Sequence, residues 1–258
     1  MLIKLLRAAL CSALLWPLCL PAQSAQPVVP DTARAKELFD LANQSRAQNG
    51  AGALQWDDSL ADAALKHCAR MIAEVALEHR YSGEQDLTSR AGEAGAHFSV
   101  IEENIAVGSH IAAIHQGWLD SPEHRTNLLN PAVDRVGIAV VHSEGLFFAV
   151  ADYAQGVAVL TQVQVEKAFA DLLRAKHIAV MQETADARSN CMSSGKYSGN
   201  GSPSFLVRWQ NPDVTHLPDQ LLTVLDAGRY RRAEVGSCPA QDVNGPFTVY
   251  RVAVLLFE

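Results

Sequence analysis

The stretch Trp118-Leu119-Asp120-Ser121-Pro122-Glu123-His124-Arg125-Thr126-Asn127 constrains the fold most tightly, because it dictates a corner between two helices. Ile111, Ile114, His115 and Trp118 recur at helical spacing, so a helix ends near Asp120. Ser121 ahead of Pro122 reads as an N-cap with proline at the first helical position, opening a second, short helix. His124 then stands third in that helix, where the positive end of the dipole disfavours an imidazolium. It is predicted to stay neutral near pH 7, free to accept a proton, a hydrogen bond or a metal ion. His124 is therefore the leading site candidate.

Residues 1–25 read as a secretory signal peptide. Lys4 and Arg7 precede an apolar run from Ala8 to Leu20, and Ala22-Gln23-Ser24 supplies small residues for cleavage after Ser24 or Ala25. No later stretch is apolar and long enough to span a bilayer, so the remainder is expected to be exported, to the periplasm or beyond the cell. Net charge is −7 and no run of basic residues stands out, which argues against nucleic acid as a partner. After the leader, Cys68, Cys191 and Cys238 remain, allowing three single disulfides. Cys191 and Cys238 both lie among turn-forming residues of the C-terminal region and are the expected pair. Cys68 falls on an apolar helix face and reads as a buried thiol.

In chain order, Asp31 or Thr32 caps a helix carrying Ala35, Leu38, Leu41, Ala42 and Ser45 on one side and stopping at Asn49-Gly50. Asp57-Asp58-Ser59 caps a second helix, with Leu60, Ala64, His67, Cys68, Met71 and Val75 facing the core up to about Leu77. Residues 81–97 read as a polar loop, and 100–106 as irregular or one short turn. Val136 to Val141 is a buried strand, His142-Ser143-Glu144-Gly145 a turn, and Leu146 to Tyr153 its hairpin partner. Beyond these, Val163 to Lys176 reads as an amphipathic helix and residues 186–204 as a Ser/Gly/Asn-rich loop. Phe205 to Trp209 is a strand, Leu217 to Ala227 a short helix, and Arg229 to Val235 and Phe247 to Phe257 complete a small α+β unit. That half shows no catalytic spacing.

A series of short matches then points to a family. Asn43-Gln44-Ser45-Arg46 with Gly50, Leu54-Gln55-Trp56-Asp57, Ala61 through Met71, His79 and Glu103-Asn104-Ile105-Ala106 come first. Trp118 with Ser121 to Arg125, Arg135 to Ala139, and Ala151-Asp152-Tyr153-Ala154 follow in order. The chain resembles the CAP superfamily (cysteine-rich secretory proteins, antigen 5 and pathogenesis-related proteins), with the bacterial SCP-like branch nearest. The resemblance implies an α-β-α sandwich with a surface cleft over 33–156, followed by a small α+β C-terminal domain over 160–258. It also implies a cleft lined by two histidines and two glutamates. His79, Glu103 and His124 match three of these. Ser121 stands where the second glutamate is expected, and Glu123 replaces a usual glycine, so a carboxylate is expected to enter from another direction.

Three functions compete for these residues. His79, Glu103 and His124 could hold Zn²⁺ or another divalent ion with an open position, although spacings of 24 and 21 residues form no local metal motif. The cleft is expected to bind a small apolar or lipid-like ligand or a cell-envelope component. A metal-assisted hydrolase would use Glu103 as general base with His124 polarising a carbonyl. Its nearest nucleophile, Ser121, is expected to spend its hydroxyl capping the helix. The third reading is a structural or interaction protein in which the three residues fasten a loop to the helices. His67 reads as a satisfied core histidine, His115 as packing beside Trp118, and Trp56 and Trp118 as core or cleft wall.

Overall fold

The computed structural model describes residues 28–74, 76–182, 184–238, 241–242 and 247–258. The leader read over residues 1–25 and the core position read at Val75 lie outside them. The N-terminal half runs α1 (Thr32–Gln48), β1 (Gln55–Trp56), α2 (Asp58–Glu74), α3 (Leu87–Glu93), β2 (Phe98–Gly108), α4 (Ile111–Asp120), α5 (Pro122–Leu129), β3 (Arg135–Ser143) and β4 (Leu146–Gly156). The C-terminal half adds α6 (Gln162–Ala175), β5 (Ala179–Val180), α7 (Ala185–Asn190), β6 (Phe205–Asn211), α8 (Asp219–Asp226), β7 (Arg232–Ser237), β8 (Gln241–Asp242) and β9 (Thr248–Phe257).

The first sheet has the order β1-β3-β4-β2, with β3 and β4 as the antiparallel centre. Alternation along β3 builds an α-β-α sandwich. Val136, Ile138 and Val140 face α1, α4 and α5, while Ala139 and Val141 face α2. Gly137 lets α2 approach, since a Cβ there would lie 2.0 Å from the Ala61 nitrogen. Asp31 caps α1 by accepting from the Arg34 N–H at 3.1 Å, and Asp57 accepts from Leu60 N at 3.0 Å at the start of α2. Glu144 and Gly145 take φ of 52° and 81° in the β3–β4 turn, as a tight hairpin requires.

The second sheet has the order β5-β7-β9-β6, with β8 pairing β9. Helices α6 and α8 cover one face through Val165, Phe169, Leu173, Leu221 and Leu225. On the other face α7 packs against β7 at Gly236, where a Cβ would meet Arg188 N at 2.1 Å. Cys191, at the end of α7, is bridged to Cys238 after β7, the pair expected from the sequence. The two halves meet where Phe98 stacks edge-on against Phe247 at 5.4 Å and His97 Nδ1 lies 3.0 Å from Thr248 Oγ1.

Three segments depart from the sequence reading. Residues 100–106 are not irregular: they form the middle of the eleven-residue β2, paired with β4 along nearly its whole length. Glu102 and Glu103 weaken the local strand signal, and cross-strand pairing overrides it. The loop of 81–97 contains α3, capped by Asp86, which accepts from Ser89 N at 2.8 Å. The loop of 186–204 starts inside α7. Both helices are too short for periodicity to reveal. Helix α2 ends at Glu74, a turn earlier than the Leu77 expected.

Candidate functional site

The site lies at the β2 edge of the first sheet, where side chains from both helical layers wrap round to meet. Asn104 donates from Nδ2 to the His124 carbonyl at 2.9 Å. Asn127 donates to the Glu103 carbonyl at 3.1 Å and to Asn104 Oδ1 at 3.0 Å. Trp118 Nε1 donates to Ile105 O at 3.2 Å. The bonds to the Glu103 and Ile105 carbonyls satisfy groups that a strand edge would otherwise leave bare, and together the set clamps α4 and α5 to β2. They carry His124 to the side of His79, which arrives from the loop after α2. The two imidazole centroids are 6.4 Å apart.

Glu103 is buried and fully engaged. His79 Nδ1 lies 2.8 Å from its Oε1, and the Arg90 guanidinium of α3 pairs with its Oε2. Arg90, itself buried, also reaches Glu84 at 3.9 Å, and Glu84 holds the His67 Nδ1 at 2.8 Å. His67 is thus the satisfied core histidine anticipated. His79 keeps 57 % of its side-chain surface exposed. The hydrogen bond to Glu103 raises the His79 pKa, against the opposing effect of burial. Burial lowers that of His124, with the neighbouring His79 acting in the same direction. The neutral His124 expected from the helix dipole is therefore supported in direction, through desolvation.

Two residues at the site escaped the sequence reading. Arg90 lay in the supposed loop. Asp152, on the central strand β4, stands directly opposite Glu103 in the register and is wholly buried. Neither of its carboxyl oxygens has a partner among the described residues. Burial pushes its pKa well above the usual carboxylate range; Glu103 adds to this and Arg90 opposes it. A second carboxyl group thus lies beside Glu103, across the β2–β4 pair. Glu123, where re-entry of a carboxylate was looked for, is exposed on α5. The available signal was an aspartate within the apolar run Ala149-Val150-Ala151-Asp152-Tyr153.

Ser121 corrects another expectation: it occupies the N-cap position of α5, yet its side chain makes no capping hydrogen bond. Among the described residues the Ser121 hydroxyl has no hydrogen-bonding base facing it either. His115 is buried, its Nε2 3.2 Å from Ser45 Oγ, and packs between α1 and α4. Trp118 is core, whereas Trp56 keeps 39 % of its surface exposed beside Phe39.

The turn between α1 and β1 is held by the same kind of bonding. Asn43 exchanges hydrogen bonds with both backbone groups of Leu54, at 3.1 and 2.7 Å. The buried Arg46 donates to the carbonyls of Gly52, Leu128, Asn130 and Val133, joining α1 to the end of α5.

Residues 39–153 match the family model for the CAP, or cysteine-rich secretory protein, family. This stretch is thus similar to CAP domains, and a C-terminal α+β unit follows it in the chain. Over 111 residues the chain is 32 % identical to the uncharacterized membrane protein YlbC of Bacillus subtilis, covering 42 % of this chain and 32 % of the relative. It is 27 % identical over 120 residues to the uncharacterized protein YkwD of the same organism, covering 45 % and 46 %. The chain thus spans about a third and just under half the length of these curated relatives. Among solved structures, an extracellular protein containing an SCP domain from Bacillus anthracis aligns at 29 % identity and a TM-score of 0.45. That alignment covers 51 % of this chain and 45 % of the other.

Proposed function

We propose that the protein is an exported binding module whose ligand is met by His79 and His124 at the β2 edge. The observation that carries this reading is the difference in commitment among the site's polar groups. Glu103 is held by His79 and Arg90, and Asn104 and Asn127 are spent on the backbone. Among the described residues, His79 Nε2 and both ring nitrogens of His124 have no hydrogen-bond partner, and His79 is more than half exposed. We also assign 33–156 as the CAP unit and 160–258 as an accessory unit, on the strength of their separate cores.

The fitting ligand is a cell-envelope component with a polar or anionic group that two ring nitrogens can contact, or a divalent ion. For a metal the donor set is partial. Glu103 orients His79 from Nδ1, leaving Nε2 outward, as a carboxylate behind a metal-bound histidine does. Two imidazoles on a tetrahedral Zn²⁺ have centroids about 5 Å apart, given Zn–N of about 2.0–2.1 Å. The rings would have to close by roughly 1 Å, within reach of a side-chain rotation. Among the described residues no three His, Cys, Asp or Glu side chains cluster as a ready metal site. Such an ion would therefore keep water or ligand in its remaining positions and supply positive charge for an anionic group. The small apolar ligand expected here gains no support from the surroundings of the histidines, which are polar. Binding is favoured over hydrolysis because Ser121 faces no base.

The test is calorimetric titration of the full chain with Zn²⁺, alongside His79→Ala and His124→Ala. Binding of one ion, lost in both variants, supports the reading and invites assays with isolated envelope fragments. If neither Zn²⁺ nor envelope fragments shift the ring resonances of His79 and His124, and both variants are merely less stable, the cluster is structural and the proposal fails.

A further inference from the structure

The opposite edge of the first sheet is finished differently. Along β3 the even-numbered residues turn their backbone groups outward, as two of them show: Val136 O accepts from Asp57 N at 2.9 Å, and Val140 O accepts from Asp31 N at 2.7 Å. Between them Ile138 has the same parity, so its N–H and C=O point to the same side. Among the described residues nothing beyond the sheet pairs with either group. At the β2 edge, side chains fill the equivalent positions; here they do not.

The bare peptide lies on the floor of a groove of about 320 Å³ between α1 and α2. Its walls are apolar: Ala35 and Phe39 from α1, Leu65 from α2, and the half-exposed Trp56 of β1. Its rim carries Lys36, which is held by Asp40 at 3.0 Å, and Asp62, so the charges across it are of opposite sign. A ligand with net charge gains nothing from such a rim. The two occupied carbonyls are four residues apart, about 13 Å along a strand. Helix α1 and β1 close that stretch at either end, so no long strand can run through.

From this geometry we infer that the β3 edge groove binds the end of a peptide chain, or a single acylated amino acid amide, with an apolar side chain. The ligand's N–H and C=O pair with Ile138, extending the sheet by one residue, and its side chain enters the apolar groove. Strand addition of this kind takes its affinity from backbone bonds and its selectivity from the pocket. The site lies across the sheet from His79 and His124, so the two can succeed or fail separately.

The probe is N-acetyl-L-leucine methylamide, titrated into the ¹⁵N-labelled full chain. Shifts centred on Ile138 and Ala139, with hydrogen exchange at the Ile138 amide slowed at least fivefold at saturation, are the expected result. The analogue with an ester oxygen in place of the leucine N–H should bind at least fivefold more weakly. Leu65→Trp, which fills the groove from α2, should weaken the amide at least tenfold; the wild-type exchange result does not depend on that variant folding. Absence of binding overturns the proposal. So does equal or tighter binding of decanoate with no slowing of Ile138 exchange, which would make the groove a site for acyl chains.

Discussion

Asp152→Asn should remove a slope from the pH dependence of stability. Asp152 and Glu103 face each other across β4 and β2, and Asp152 has no donor on either oxygen. The donor that can stand between two carboxyl groups is a proton. Burial, helped by Glu103, holds the Asp152 pKa well above the usual range, with Arg90 opposing but not reversing it. An aspartate in the unfolded chain titrates near 4, as model peptides do. Above that pH the folded protein therefore carries one more proton than the unfolded chain, and its stability falls as pH rises until the buried group ionises. One proton corresponds to about 1.4 kcal/mol per pH unit. The comparison runs from about pH 4.5 to about pH 6.5, and the slope holds for as long as the folded group keeps its proton. Asparagine has the same shape, does not titrate, and can donate its amide to Glu103. Urea denaturation of both proteins across this range gives the difference directly, because other titrating groups largely cancel. The advantage of Asp152→Asn should grow with pH at that slope. Curves parallel within about 0.5 kcal/mol would show Asp152 ionised in the folded state and refute the shared proton.

Other outcomes are equally definite. Arg46→Met should cost about 3–5 kcal/mol, since four buried or half-buried carbonyls lose their donor at once; thermal and urea unfolding would show it. Replacing both Cys191 and Cys238 by alanine should destabilise the C-terminal unit by about 4 kcal/mol. That figure is the loop-closure value for a span of 47 residues, and limited proteolysis of residues 160–258 would report the loss. Ser121→Ala should change stability by less than about 0.5 kcal/mol, because the hydroxyl makes no cap; a loss near 1 kcal/mol would contradict the geometry.

Much of the first unit was legible in the chain. The helix–Ser-Pro–helix corner, the capped starts of α1 and α2, the β3–β4 hairpin and the Cys191–Cys238 pair each follow from local chemistry: proline's fixed φ, carboxylate caps, alternating apolar residues and cysteines among turn residues. The spaced matches also singled out His79, Glu103 and His124 as one group before any coordinates placed two of them beside each other and the third behind. What escaped was decided by contacts between distant segments. The strand over 98–108 exists because β4 pairs with it, although its paired glutamates argue locally for a loop. Arg90 became a buried counter-charge because α3 folds over Glu103, and Asp152 a buried acid because β4 lies at the centre of the sheet. The bare peptide of Ile138 is likewise invisible in sequence, since an apolar strand residue reads the same whether its backbone is paired or not. Local propensity and spacing specify the elements with strong local signals; β2, and which polar groups are left satisfied, buried or open, depend on the packing of the whole.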